Sequence, residues 1–234
     1  MPNSSSAHPP SDAALFHLLK SRLFTAVVGD ILDQMGLRRQ FLPPGINPLL
    51  PDMKIAGRAM PVLEADVFEE TGAGHGPLAN KQFGLLFEAL DQLQPGEIYV
   101  AHTPIPRYAL WGGLMSTRAM HLKAAGAVID GFARDASEIE ALGFPVFCRG
   151  LYAQDQGPRG KVIDYRCTLE IGGVLIETGD LMFGDREGVL IVPRAAEDEA
   201  IRRALEKAAT ENRVADAIRA GMSTVEAFDT FGVM

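Results

Sequence analysis

The rhythm of apolar and polar positions changes several times along the chain, and each change marks an element. Residues 13–21 and 25–35 carry apolar side chains three and four apart, the spacing of one helix face, with Thr25 placed to cap the second helix and Gly36 to end it. The Pro/Gly-rich segment LPPGINPLLPD then covers the surface, and from Lys54 the stretch KIAGRAMPVLEA alternates as a strand does. The loop ETGAGHGPLAN leads to a helix expected over 81–93, and PGEIYVAHT turns back into a strand. WGGLMSTRAMHLKAAG reads as a helix whose start carries two glycines. Val128 and Ile129 end an apolar strand, Gly131 supplies a turn, and residues 136–142 form a short helix before the strand FPVFCRG. The run VIDYRCTLEIGGVLIETGDLMFGDREGVLIVP is β-rich and punctuated by the turn residues Gly172, Gly173, Gly179, Asp180, Gly184 and Asp185. A long charged helix over 195–220 and a tail, TVEAFDTFGVM, end the chain.

Helix and strand alternate in the middle, antiparallel-looking β structure follows, and a helix closes. That order predicts a layered α/β fold with one shared core, a single domain over 12–234 preceded by a disordered Ser/Pro-rich tail, 1–11. Phe228 and Phe231 of the polar C-terminal tail are expected to pack, either across an interface or back onto their own subunit.

Composition narrows the function classes. Of 234 residues, 47% are hydrophobic and 22% charged, and no apolar run reaches the length of a membrane span. The N-terminus has neither a basic region nor an apolar core for export, so a soluble, cytoplasmic protein is expected. A net charge of −8 gives no basic footprint for nucleic acid or an anionic membrane. The two cysteines, Cys148 and Cys167, make neither a disulfide framework nor a zinc motif and are expected to be buried thiols.

Candidate chemistry concentrates in one region. Arg134 and Asp135 sit side by side where a buried strand gives way to a helix, the place where α/β proteins bind ligands. The arginine can pair with a carboxylate or enolate oxygen, and the aspartate can hold a hard divalent cation; alternatively Asp135 is a helix N-cap and Arg134 a surface charge. Gly112, Gly113, Leu114 and Met115 open a helix whose unpaired amides suit a small carboxylate, or form a tight loop after Trp111. The glycines of GAGHG, with His75, lack the full dinucleotide spacing and a Walker ending, so a phosphate role competes with a plain surface turn. His17, His75, His102 and His121 show no metal-ligand spacing, and no GxSxG elbow supports acyl transfer.

The combination WGGLMSTRAMHLKAAGAVIDGFARD, FPVFCRG and IGGVLIETGDLMFGDREGVLIVP, with FTAVVGDILDQMG upstream, resembles the RraA-like family, which includes the 4-hydroxy-4-methyl-2-oxoglutarate / 4-carboxy-4-hydroxy-2-oxoadipate aldolases. The resemblance covers roughly residues 20 to 205. It implies a β/β/α swivelling-type fold, a homotrimer or homohexamer with sites shared between subunits, and a Mg²⁺ or Mn²⁺ held by Asp135 and waters. It further implies that Arg134 contacts the keto or enolate oxygen of a 2-oxo acid and that the amides of Gly112 to Met115 hold its carboxylate. The expected activity is a class II-type pyruvate aldolase or lyase, with oxaloacetate decarboxylation as a side reaction. Other members resemble regulators of ribonucleases that lack the metal-binding aspartate, which makes a protein-binding regulator the alternative. The chain departs from the aldolase pattern at Gly113 and His102, where those enzymes usually carry acids.

Overall fold

The computed structural model describes residues 11–68, 72–105 and 107–233. Ser11 accepts a hydrogen bond from the Ala14 amide and caps helix α1 (Asp12–Arg22); residues 1–10 of the expected disordered tail lie outside the described residues. After α2 (Thr25–Gln34) come β1 (Asn47–Pro48) and the long strand β2 (Ile55–Asp66). A β/α alternation follows: α3 (Leu86–Asp91), β3 (Glu97–His102), β4 (Ala109–Trp111), α4 (Gly113–His121), β5 (Gly126–Ala133), α5 (Ala136–Leu142) and β6 (Val146–Leu151). The β-rich section is β7 (Gly160–Tyr165), β8 (Leu169–Ile171), β9 (Val174–Ile176), β10 (Leu181–Asp185) and β11 (Gly188–Val192), and α6 (Glu197–Arg219) and α7 (Thr224–Phe231) close the chain.

Nine strands make one sheet in the order β1-β6-β5-β3-β2-β10-β11, with β4 beside β5 and β7 beside β2, while β8 and β9 form a separate hairpin. β2, β3, β5 and β6 are parallel, and β10 and β11 add to β2 in antiparallel fashion. The segment before β2 draws the two edges together, since Phe41 bridges to Leu190 on β11 and Asn47 pairs with Cys148 on β6. The sheet therefore curls until it is nearly closed. Inside lie Ile98, Val100, Val128, Phe147, Met182 and Ile191, capped by the β8–β9 hairpin through Leu169 and Val174. Outside, α3, α4 and α5 cover Tyr99, Trp111 and Ile129, and α1, α2 and α6 cover Phe183 and Leu190. The alternation of β2 feeds both faces, with Ile55 and Ala59 inward and Ala56 and Met60 under the helices. This is the layered α/β architecture that the sequence predicts, with its buried side chains in three clusters, one inside the sheet and two under the outer helices.

Several boundaries differ from expectation for identifiable reasons. The helix expected over 81–93 shrinks to α3 because Gly84 takes φ +63 and bridges Val162. Gly131 is no turn: β5 runs on to Ala133, with its register to β6 shifting between Ile129 and Phe132, and a Cβ at 131 would press within 2.9 Å of Leu110. Trp111 belongs to β4 rather than to the helix after it. Gly184 and Asp185 lie within β10, not in a turn. Thr25 is the first residue of α2 instead of its cap; its amide and hydroxyl both donate to the buried Asp185 carboxylate at 2.8 Å, tying α2 to β10. The C-terminal tail is helical, started by a capping box between Ser223 and Glu226, and packs on α6 through Ala227 while Phe228 stays exposed. Cys148 is buried as expected, whereas Cys167 is only half-buried.

Candidate active site

The site is organised by the carboxyl end of β5, flanked by parallel β3 and β6. β4 lies alongside, with Trp111 opposite Ala133 and the Arg134 amide donating to the Trp111 carbonyl at 2.9 Å. Two chain segments far apart in sequence, the Gly112 start of α4 and the Arg134–Asp135 turn, are thereby held side by side. A buried set of bonds locks the first segment: Trp111 Nε1 donates to Ser116 Oγ at 2.7 Å, and Ser116 Oγ donates to the Gly112 carbonyl at 3.1 Å.

Asp135 stands at the N-cap position of α5 but does not cap it. Its backbone is left-handed, φ 59° and ψ 39°, a conformation that Asp tolerates better than most residues but still at a cost. Its Oδ2 instead accepts from the Gly113 amide at 3.1 Å, so the carboxylate bonds to the neighbouring helix rather than its own. Of the amides expected to bind a carboxylate, Gly113 is thus already engaged, while those of Leu114 and Met115 have no acceptor among the described residues. Arg134 Nη1 lies 2.9 Å from Asp155 Oδ1, and its Nε 3.7 Å from Asp135 Oδ2; the Arg134 and Asp155 side chains are 38% and 42% exposed.

These groups line a cleft of about 250 Å³ whose walls include Phe83, Phe87, Trp111 and Gln156. A hollow of about 330 Å³ at Phe24, Lys54 and Asp185 lacks comparable chemistry, because both Asp185 oxygens are already bonded to Thr25. Behind the cleft, Gln156 Nε2 donates to Glu64 Oε2 at 2.6 Å. Glu64 is fully enclosed; burial, helped by the charge of Asp66, pushes its carboxyl up to about 8, and neither its Oε1 nor the Tyr99 hydroxyl has a partner among the described residues.

His102 does not join the cleft. Its Nδ1 pairs with Asp130 Oδ2 at 2.7 Å, Arg149 pairs with the other oxygen, and strand alternation puts all three on the inner face with Val100 and Val128. Burial opposes ionisation of Asp130, but those two hydrogen bonds hold its carboxyl below the usual range. The GAGHG glycines precede a series of turns and not a helix start, which removes the structural basis of a phosphate loop there. Sequence reasoning missed Asp155 and Gln156, which line the cleft.

The fold is that of an α/β protein, with this cleft at the carboxyl edge of its parallel strands. The chain belongs to the RraA-like family: the family model, Aldolase/RraA, matches residues 25–191. It is 31% identical over 145 residues to a Halalkalibacterium halodurans protein named "Putative 4-hydroxy-4-methyl-2-oxoglutarate aldolase", covering 61% of this chain and 68% of that one. It is 30% identical over 203 residues to Protein DlpA of Legionella pneumophila; this covers 86% of the chain but only 31% of DlpA, so the chain spans about a third of that relative. The crystal structure of Streptomyces coelicolor RraAS2, described as an unusual member of the RNase ES inhibitor RraA protein family, superposes with a TM-score of 0.73 at 25% identity, covering 88% of this chain and 98% of that one. No helix among the described residues is long and apolar enough to cross a membrane.

Proposed function

We propose that this protein is a divalent-metal-dependent lyase that cleaves a 4-hydroxy-2-oxo acid to pyruvate, with oxaloacetate decarboxylation as a side activity. The observation that carries this reading is the meeting of Arg134, Asp135 and the open amides of Leu114 and Met115 in one cleft. The named relatives that share the family support the same reaction class.

The residues fit a Mg²⁺ or Mn²⁺ ion. One Asp135 oxygen is anchored by Gly113, the other has no hydrogen-bond partner among the described residues, and the side chain is 41% exposed, so waters can complete the shell. Such ions need only one or two carboxylates and keep several waters. Bound at Asp135, the ion would supply Lewis acidity toward the oxygens of a 2-oxo acid.

The amides of Leu114 and Met115, at the positive end of α4, bind the substrate carboxylate. Arg134 exchanges Asp155 for the substrate and sets positive charge beside the oxygen on which the enolate charge develops. The C4 hydroxyl of the hydroxy-oxo acid gives up its proton to water and becomes the carbonyl of the second product as the C3–C4 bond breaks onto C3; this cleavage, or loss of carbon dioxide from oxaloacetate, leaves the same pyruvate enolate, which then takes up a proton at C3. No lysine lines the cleft among the described residues, and the proposed reaction needs none. Phe87 and Leu114 on the cleft wall are exposed, as are Leu151 and Tyr152 beside Ala133, and a homotrimer or homohexamer would cover such apolar groups with a neighbouring subunit.

The test is pyruvate release from 4-hydroxy-4-methyl-2-oxoglutarate and from oxaloacetate, with Mg²⁺ or Mn²⁺, with chelator, and with Asp135→Asn. Asn is chosen because it accepts the left-handed backbone that Ala resists by about 1–2 kcal/mol. Release that disappears with chelator and in the variant is expected; release indifferent to both, or none from folded protein, overturns the proposal. The likeness to RraAS2 favours one other reading, a non-catalytic regulator that binds a protein partner such as a ribonuclease. Absence of turnover together with saturable binding to such an enzyme would establish it.

A further inference from the structure

Gln156 lines the cleft yet is only 3% exposed, and it is held at both backbone and side chain. Its carbonyl accepts from the Arg159 and Gly160 amides at 2.7 and 3.0 Å, and two residues earlier the Gln154 carbonyl accepts from the Ala109 amide of β4 at 2.8 Å. Its side chain is fixed by Glu64, whose Oε2 accepts from Nε2. β2 shifts register against β7 between Leu63 and Glu64, the kind of irregularity that re-aims a side chain, and the Glu64 carboxyl comes to lie near Tyr99.

Packing alone does not call for an acid at this position. The bond to Gln156 is the only side-chain hydrogen bond of Glu64 among the described residues, and leaving its other oxygen unsatisfied is unfavourable. The neighbouring positions Met60, Val62, Leu86 and Val162 are all apolar. What Glu64 achieves is to fix the polarity of the Gln156 amide. With Nε2 engaged beneath the wall, Oε1 is the end left for the cleft. That oxygen accepts no hydrogen bond among the described residues and, unlike Glu64 Oε1, is not sealed from solvent.

We infer that Gln156, oriented by Glu64, positions the water that receives the C4 hydroxyl proton when the hydroxy-oxo acid is cleaved. This rests on the lyase reading above. The water donates one hydrogen to Gln156 Oε1 and the other to Asp155 Oδ1, which Arg134 gives up when substrate arrives, and turns a lone pair toward the hydroxyl. As the C3–C4 bond breaks, the electron pair of the O–H bond becomes the second carbon–oxygen bond, the C3–C4 pair stays on C3, and the proton leaves through this water to solvent. Oxaloacetate has no such hydroxyl proton, so its decarboxylation does not need this water. Gln156 is thus a positioning residue that separates two reactions of one site.

The experiment is steady-state pyruvate release by the full chain with Mg²⁺, from 4-hydroxy-4-methyl-2-oxoglutarate and from oxaloacetate, for the wild type, Gln156→Met and Glu64→Met, with circular dichroism confirming the fold. A kcat for cleavage lowered roughly tenfold or more in Gln156→Met, with KM and the decarboxylation rate within about twofold of wild type, supports the inference. If Gln156→Met slows both reactions alike, slows neither, or changes KM alone, Gln156 does not hold this water, while the lyase reading stands. If the wild type cleaves no hydroxy-oxo acid, both fall. Should Gln156→Met fail to fold, Glu64→Met decides: cleavage slowed with decarboxylation spared supports the inference, and cleavage unchanged or both reactions slowed alike overturns it.

Discussion

Arg134 Nη1 lies 2.9 Å from Asp155 Oδ1, so the cation best placed to meet an anionic substrate is held by one of the protein's own carboxylates. On the proposed function, substrate replaces that carboxylate. The pair is more than a third exposed on both sides, and such ion pairs contribute about 0.2–1 kcal/mol. Asp155→Asn should therefore leave the thermal midpoint nearly unchanged and lower the KM for the 2-oxo acid by roughly two- to fivefold, as 1 kcal/mol corresponds to about fivefold. Steady-state kinetics would check it, and an unchanged or raised KM would show that Asp155 does not compete with substrate.

Ser116 has a structural task out of proportion to its size. Its hydroxyl serves the buried Trp111 indole and the Gly112 carbonyl together. Ser116→Ala should cost about 1–3 kcal/mol, the range for a buried donor left without a partner. Urea denaturation measures this, and a loss under 0.5 kcal/mol would mean that the indole finds another acceptor.

Glu64 predicts a pH dependence of known sign. Burial raises its folded-state pKa from 4.5 to about 8, so the folded protein holds a proton that the unfolded chain releases near 4.5. Its contribution to stability is full below about pH 4.5 and is lost as the pH rises toward 8. Glu64→Gln can still accept from Gln156 but does not titrate. The variant should gain thermal stability relative to the wild type progressively between pH 5 and 8, and parallel melting curves across that range would refute a buried neutral acid.

The layered fold was legible because its signals are local and repeated. The alternation of β2, the periodicity of α2 and the cluster of turn residues in the β-rich section each point to the same architecture. What the pattern could not give were features decided by distant partners. Thr25 looks like a cap until Asp185 on β10 takes both its hydrogen bonds, and Gly131 looks like a turn until β4 pairs beside it. At the site, Arg134, Asp135 and the glycine helix start were readable as a motif, and the structure brings them into contact. Asp155 and Gln156 sit in a connecting segment with no periodicity, and nothing in the sequence near them tells that Asp155 pairs with Arg134 or that Gln156 reaches Glu64.

The pairing of β2 with β10 has a consequence for how the chain is made. Ile55–Gly57 and Arg58 find their antiparallel partners only at Leu181–Gly184, more than a hundred residues later. On the ribosome, the amino-terminal part of β2 therefore emerges with one edge unsatisfied and waits until most of the polypeptide has been synthesised. Arg58 and Pro61 lie within that waiting strand, and charge and proline both discourage an exposed edge from pairing with another chain. The strand that later joins the two halves of the sheet thus carries its own protection against aggregation during translation.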